Sequence, residues 1–443
     1  MKMNLSVFRT SVMLLYLLHG CIDPIPQTGE GNNGDEAGVY GPALSEIAVL
    51  LSELPFSKEH LEEVHDAVSS SSSNGYDEEY TMADLFSVPG AGVGDRHLES
   101  KSVPEYDYPL SELIREHLMA RAMTRASGVS DAGGDAEGDG QMADTDRVPA
   151  PDEEEIAEEV DKYLDILAST DIQIYWPFSD RWDGLDSLII TFDPENASTA
   201  NIGYKLAFDE DGKAAVHSEV TVTEETACEM PVWVVNRNSD DEYLTLDMIR
   251  QLYPGWTDGG GSLVVNPAGK VTAKSGGQSG LRTLVLKDFT MLRNYDSWFA
   301  GASEFFVKCG SVENFTASTE AELQLYSPAI TDFMIVVKRS QVGIPQPFNA
   351  VLVSDWTGQM ENCAFMIVED DGGKETSWKC TALVRIESKS YGVELDLPFK
   401  TRDDIVWRGS LSRRFIEAYD GMPSRFGDVN LTFEIIGPPD AQE

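Results

Sequence analysis

The chain of 443 residues carries 76 Asp and Glu against 33 Lys and Arg, a formal net charge of -43 at pH 7. So negative a charge argues against binding to nucleic acid and against electrostatic binding to anionic lipid, because both need basic surfaces. The length predicts about two to three domains, and the 42% of hydrophobic residues is enough to form packed cores.

The N-terminus has the order of parts found in an export signal. Basic residues precede an apolar run at 12–18, which ends at Leu18-His19-Gly20-Cys21. The run is shorter than the roughly 20 apolar residues that span a bilayer. We therefore predict a lipoprotein signal peptide over 1–20 and lipid attachment, including palmitate, at Cys21. The alternative is an ordinary secretory signal with Cys21 merely nearby.

An acidic region follows the signal. Residues 21–42 are expected to form a flexible tether, and residues 43–150 an acidic low-complexity region with short helices. Between residues 22 and 160 there are 32 Asp or Glu against 7 Lys or Arg. This composition predicts a largely solvated and partly disordered segment. Diffuse binding of divalent cations and a partner-binding arm are the functional alternatives.

Short amphipathic helices are expected within this acidic region. They lie at 43–54, after a cap at Ser57, and at 109–123. Four apolar side chains beyond the second helix are expected to pack on a neighbouring domain: Tyr76, Tyr80, Leu85 and Phe86.

Residues 151–275 are predicted to form a smaller α+β domain. Apolar residues at helical spacing indicate a helix over 152–168, with acidic residues in its first turn. Strands are expected at 172–178, 187–192, 202–208, 214–223 and 232–236, followed by a helix at 243–252. Asp211-Gly212 is typical of a hairpin turn between two of these strands.

Residues 281–443 are predicted to form an antiparallel β-sandwich, so that the fold class is mainly β. Short alternating runs separated by turn residues are typical of such sandwiches. Strands are expected at 303–309, 321–325, 333–338, 349–355, 363–369, 376–388, 393–397 and 430–435.

One hairpin of the sandwich can be predicted in register. A turn centred on Asp371-Gly372 would set these pairs opposite one another: Glu369 and Lys374, Ile367 and Thr376, Phe365 and Trp378, Cys363 and Cys380. In an oxidising compartment this predicts a disulfide between Cys363 and Cys380. The alternative is two buried thiols that face each other.

Motifs for catalysis are few. His60 and His65 stand five residues apart, so their imidazoles diverge by about 140° around a helix and do not suit a shared metal. No Gly-x-Ser-x-Gly and no Cys-x-x-Cys motif occurs. The sequence therefore predicts no catalytic residues and favours a non-enzymatic protein.

Loops of the last domain combine acidic residues with tryptophan. They contribute Asp296, Trp298, Asp355, Trp356, Asp370, Asp371, Asp403, Asp404 and Trp407. Acidic loops gathered at one end of a sandwich could bind calcium, resembling C2-type modules, and exposed tryptophans could stack on sugar rings. The alternative is that the tryptophans belong to the core and the aspartates cap turns. No cofactor other than calcium is expected.

The signal ending at Leu18 to Cys21, the acidic tether and the terminal sandwich together resemble outer-membrane lipoproteins of Bacteroides-type bacteria. The resemblance implies an envelope location and a role with glycans or in surface assemblies. We expect a lipid-anchored binding or assembly protein with a glycan or protein partner and no nucleic acid. The alternative is a glycan hydrolase, or its accessory protein, with carboxylates between the two ordered domains.

Overall fold

The computed structural model describes residues 42–86, 104–131, 152–184, 187–196, 198–209, 212–238, 244–245, 263–264 and 282–437. The predicted signal peptide, Cys21 and the predicted tether up to residue 41 lie outside these ranges. The α-helices are α1 (Leu44–Ser52), α2 (Lys58–Ser73), α3 (Met82–Phe86), α4 (Leu110–Asp131), α5 (Glu153–Ala168), α6 (Glu224–Glu229) and α7 (Arg413–Ala418).

The strands fall into two groups along the chain. The first group comprises β1 (Glu79–Thr81), β2 (Ile172–Tyr175), β3 (Ser187–Phe192), β4 (Ala200–Phe208), β5 (Ala214–Thr223) and β6 (Val232–Arg237). The second comprises β7 (Leu244–Thr245), β8 (Leu263–Val264), β9 (Arg282–Met291), β10 (Ser303–Ser311), β11 (Ala329–Val337), β12 (Gln346–Trp356), β13 (Met360–Glu369), β14 (Glu375–Ile386), β15 (Lys389–Lys400), β16 (Asp404–Ser412), β17 (Pro423–Phe426) and β18 (Val429–Ile436). The prediction of a mainly β fold is confirmed.

The first domain is a six-stranded sheet in the order β1-β2-β6-β3-β4-β5, with α1 to α5 packed on one face. β3 and β6 run parallel, and the other neighbours run antiparallel. α5 begins as its sequence predicts, because Asp152 Oδ1 accepts a hydrogen bond from Glu155 N at 2.9 Å. The β4–β5 hairpin closes at the predicted turn, where Gly212 N donates to Asp209 O at 3.0 Å.

Helices of the acidic region belong to this same core. Leu50 of α1, Leu61 of α2 and Leu118 of α4 are buried in one cluster with Val160 of α5 and Trp233 of β6. The boundary expected at residue 150 therefore does not separate two cores. On α2, for example, Glu59 and Glu62 are exposed while the apolar stripe faces the core, although Glu63 of the same helix is buried.

The second domain has three layers. The central sheet contains β10, β11, β13 and β16, and the sheet β12-β9-β18-β17 packs on one of its faces. The long β14–β15 hairpin folds over the opposite face, where Leu395 and Leu397 join a core with Phe306 and Met366. The strands β10 and β13 are consequently buried on both faces, which removes the alternation of a half-exposed strand.

The register predicted for the hairpin after β13 is wrong. β13 pairs with β14 only at Met360 and Asn362, and from Asn362 to Glu369 it pairs with β16 instead. Cys363 accordingly faces Leu411, whereas Cys380 faces Leu395. The turn sequence is local, but the insertion of β16 beside β13 is a long-range event that turn chemistry does not encode.

Two further element predictions differ from the structure. A strand was predicted at 321–325, but residues 320–325 form a 3₁₀ helix. None of its residues is buried, so it contributes no side chain to the core as a sandwich strand would. Of the helix expected at 243–252, residues 244–245 are instead a short strand and the rest lies outside the described ranges.

Candidate functional site

Carboxylates from three parts of the second domain converge near its boundary with the first. Asp296 lies in the loop between β9 and β10, Glu304 is the second residue of β10, and Glu369 is the last residue of β13. The antiparallel register sets Glu369 opposite Phe305, and so brings the end of β13 beside the start of β10. One carboxylate oxygen from each residue lies within 4.8 Å of the others. We call Asp296, Glu304 and Glu369 the acidic cluster.

Glu369 is the most enclosed member of the acidic cluster. Glu369 is 0% exposed, and neither carboxylate oxygen accepts a hydrogen bond from an N–H or hydroxyl group in the described part of the chain. Its hydrogen-bonding neighbour is the carboxyl group of Asp296. Burial, and next the carboxyl group of Asp296, raise the pKa of Glu369 well above its ordinary value. Burial likewise raises the pKa of Asp296, whose Oδ2 is also buried without a donor among the described residues. A buried carboxylate without donors is costly, so the acidic cluster needs a proton or a cation.

Further acidic side chains surround the acidic cluster. Asp371 and Asp404 both add to the repulsion that raises the pKa of Glu369. Asp370 forms an ion pair with Lys400, whose Nζ lies 3.1 Å from Asp370 Oδ2. Asp370 Oδ1 also accepts a hydrogen bond from Gly372 N in the following turn. The structure thus gathers five of the predicted loop residues in this region: Asp296, Asp370, Asp371, Asp403 and Asp404.

The tryptophans predicted to lie in the same loops are not gathered near the acidic cluster. Trp298 is buried against the first domain and donates from Nε1 to Thr199 O at 3.0 Å. Trp356 is 6% exposed, and the adjacent Asp355 accepts a backbone hydrogen bond from a loop. Trp407 packs edge-on against Phe426 and at a tilt against Phe365, both in the sandwich core. The three rings therefore form no common platform for a sugar.

A loop that begins with the acidic cluster joins the two domains. We call residues 296–302 the docking loop. Its Trp298 and Phe299 pack on the face of the first sheet opposite α1 to α5, beside Ala227 of α6. Asn236 Nδ2 of β6 donates to the carbonyl oxygens of Phe299 at 3.0 Å and Ala300 at 2.6 Å. The acidic cluster is thereby linked in sequence to the interface between the domains.

Residues 77–79 form the opposite side of this interface. Asp77 Oδ2 accepts from Ala302 N at 2.9 Å, and Gly301 keeps a φ of 136° directly beside it. Glu78 accepts from Ser179 N at 3.0 Å and from Ser179 Oγ at 2.7 Å. These acids are buried, but each of the two has donors.

Of the four side chains expected to dock on a neighbouring domain, Tyr76 does so. It lies in the core shared by β10, β11 and the β14–β15 hairpin. Tyr80, Leu85 and Phe86 pack within the first domain instead. The sequence did not point to residues 77–79 or to Glu304, and the predicted hairpin register set Glu369 opposite Lys374. The sequence signal for Glu369 was its position directly after the apolar run 363–368, where the end of a buried strand is expected.

The predicted disulfide is absent from the described cysteines, which are all free thiols. Cys363 is fully buried in the core between the two main sheets, and Cys380 is half-buried on strand β14 of the β14–β15 hairpin. The closer neighbour of Cys363 is Cys309, whose pKa it raises by hydrogen bonding. Cys228 is exposed and lines a cleft of about 440 Å³ with Trp176 and Trp182.

Among the described residues, none of the helices has the length and apolar character needed to cross a membrane. Comparison with protein-family models, with curated proteins and with solved structures gives no match for this chain.

Proposed function

We propose that this chain is a membrane-anchored extracytoplasmic lipoprotein that acts as a non-enzymatic binding or assembly protein through its C-terminal β-sandwich. The anchor is the lipid on Cys21, and the location is the cell envelope, at the outer membrane. The partner is a glycan or a protein of the same compartment.

The observation that carries the non-enzymatic assignment is the enclosure of the carboxylates between the domains. Glu369 is 0% exposed, Glu78 is 2% exposed and Asp77 is 3% exposed. A polymer such as a glycan needs an open cleft to reach an acid and a base. The docking loop fills that position with Trp298 and Phe299, which disfavours a hydrolase at this boundary.

The β14–β15 hairpin supports a recognition role for the sandwich. β15 is the edge strand of its sheet, and its alternate side chains Glu394 and Asp396 are exposed. A shallow groove of about 700 Å³ runs over the pairs formed by Lys379 with Asp396 and Thr381 with Glu394. An open edge of this length suits a partner that adds an extended strand.

The anchor is tested by metabolic labelling with palmitate in a bacterial host. Label is expected on the wild-type chain and on Cys228→Ala, and it should be lost from Cys21→Ala. Cys228 is the matched control because its thiol is exposed in the structure. Equal labelling of the Cys21→Ala variant would contradict the anchor.

The recognition surface is tested by photo-crosslinking in the cells that make the protein. A benzophenone amino acid at Asp396 should form one defined adduct. The same probe at Glu219, which is exposed on the edge strand β5 of the first domain, should form none. Equal adducts at both positions, or none at either, would contradict the assignment to the sandwich.

The choice between binding and hydrolysis needs a separate measurement. The purified chain is incubated with a panel of envelope and plant polysaccharides, and new reducing ends are counted. The proposal expects none. Release of reducing ends that Glu304→Gln abolishes would support the hydrolase instead.

A further inference from the structure

The acidic cluster has the composition of a site for a hard cation. Its three side chains offer only carboxylate oxygens, which calcium and magnesium prefer, and neither histidine nor cysteine takes part. Oxygens bound to one calcium ion at 2.3–2.6 Å lie up to about 5 Å apart. The separations of 4.8 Å or less in the acidic cluster match that limit.

Glu369 provides evidence that is independent of the clustering. It is completely buried, it points into the acidic cluster, and no N–H or hydroxyl group in the described part of the chain donates to either oxygen, so that its hydrogen-bonding neighbour is the carboxyl group of Asp296 within the acidic cluster itself. Buried carboxylates in proteins are paired, or they coordinate a metal. Within the described ranges no Lys or Arg forms an ion pair with Glu369, and the charge of Arg339 acts on the neighbouring Asp296, whose pKa it lowers against the effect of burial.

Two basic side chains of this region, Arg339 and Lys400, are engaged with other acidic residues. Arg339 binds Glu224 Oε1 through Nε at 2.7 Å, and its Nη1 donates to the backbone oxygen of Asp296 at 3.1 Å. Lys400 is held by Asp370. A bound cation would meet a need that these side chains leave unmet.

The buried position of the acidic cluster favours calcium over magnesium. Magnesium keeps several waters and demands near-octahedral geometry, whereas calcium accepts six to eight oxygens in flexible arrangements and binds carboxylates in bidentate fashion. Three carboxylates in an enclosed position can supply up to six oxygens. The donor set therefore favours calcium.

We propose that the acidic cluster of Asp296, Glu304 and Glu369 binds one calcium ion, which fixes the start of the docking loop to the strands β10 and β13. Because Asp296 stands two residues before Trp298, the ion would hold the loop in the position from which Trp298 and Phe299 enter the first domain. Calcium binding would thus stabilise the joined arrangement of the two domains.

The test uses the full mature chain with Cys21 replaced by Ser, stripped of metal, in about 150 mM NaCl to screen the acidic surface. Thermal unfolding is recorded in EDTA, in CaCl₂ and in MgCl₂. At a calcium concentration about 100-fold above Kd, the midpoint should rise by about 2–4 °C, with a smaller rise in magnesium. Isothermal titration should give one tight site per chain.

Glu369→Gln is the informative variant, because it keeps the shape of the side chain and removes a ligand charge. It should lose the calcium-dependent rise. In EDTA it should melt at or above the wild-type temperature, since a neutral amide removes the cost of burying a carboxyl group that would otherwise have to take up a proton on folding. Glu361→Gln, the same change at a half-buried position of the same strand, should keep the rise. Asp296→Asn serves as a second variant if Glu369→Gln does not fold.

An unchanged midpoint of the wild-type chain in calcium would overturn the proposal. So would an equal rise in the wild-type chain and in Glu369→Gln, because it would place calcium elsewhere on the acidic surface. Neither result bears on lipid attachment or partner binding, which are measured without added calcium.

Discussion

Glu63 in α2 should make the stability of the first domain fall as the pH rises. The residue is 3% exposed, and its carboxylate accepts hydrogen bonds from Leu110 N at 2.7 Å and from Tyr80 OH at 3.4 Å. Burial raises the pKa of Glu63 from its usual 4.5 to about 7, although both hydrogen bonds act in the opposite direction. The folded protein therefore holds a proton on Glu63 that the unfolded chain has already lost.

The direction and the magnitude of this change in stability follow from the linkage between proton binding and folding. An acid with a raised folded-state pKa contributes stability that is fully present below its unfolded pKa and is lost as the pH rises through its folded pKa. Here that window runs from about pH 4.5 to about pH 7. Between pH 5 and pH 8 the loss amounts to about 2.5 kcal/mol of unfolding free energy, at 1.36 kcal/mol for each pH unit of difference.

Urea unfolding of the wild-type chain and of Glu63→Gln at pH 5 and pH 8 measures this loss. The difference in unfolding free energy between the two proteins should shift in favour of Glu63→Gln by about 2.5 kcal/mol at the higher pH. Glu59→Gln, on the exposed side of the same helix, is the control and should follow the wild-type chain. If Glu63→Gln and the wild-type chain show the same pH dependence, the inferred protonation of Glu63 is wrong.

Three further outcomes are expected from the structure. Gly301→Ala should destabilise the joined domains by about 1–3 kcal/mol in urea unfolding, since the new Cβ would lie 2.8 Å from Asp77 Oδ2 at a φ of 136°. Gly184→Ala, also at positive φ but with nothing within 4 Å, should cost less. A thiol reagent should modify Cys228 quickly in the native chain, while the buried Cys309 and Cys363 should react only after unfolding. Phe365→Ala should cost about 3–5 kcal/mol, because the ring is 0% exposed, whereas Tyr419→Ala, at 47% exposure, should cost far less.

Local patterns in the sequence predicted much of the sheet content. The strands β3 and β5 begin and end at the expected residues, and the turn between β4 and β5 forms where Asp and Gly were expected to reverse the chain. These features depend on neighbours within a few residues. Alternating polarity and turn chemistry are sufficient to define them.

The acidic helices show where composition misleads. Net charge predicts solvation of a segment as a whole, but burial depends on which face carries the apolar residues. Leu61, Val64 and Val68 of α2 lie on one face and are completely buried, although the segment is strongly acidic. Their helical spacing was visible in the sequence, but the sheet that covers them was not.

The acidic cluster could be predicted only in part. Asp296 was recognised as a loop carboxylate, but Glu369 was assigned to a hairpin partner that β16 displaces. The meeting of Asp296, Glu304 and Glu369 requires that a loop, the start of one strand and the end of another come together. Only the completed sheet brings residues so far apart in sequence into contact.

The contrast between Glu78 and Glu369 separates a structural acid from a candidate ligand. Glu78 is 2% exposed and Glu369 is 0% exposed, so burial alone does not distinguish them. Glu78 accepts hydrogen bonds from Ser179 N, Ser179 Oγ and Phe178 N, and Lys338 Nζ lies 3.8 Å away. Hydrogen bonds to a charged group each contribute about 1.5–3 kcal/mol, so such a set offsets much of the cost of burial. Glu369 has no comparable donor among the described residues, and its nearest polar neighbours are other carboxylates. The same burial that locks Glu78 into the domain interface therefore leaves Glu369 dependent on a proton or a metal ion.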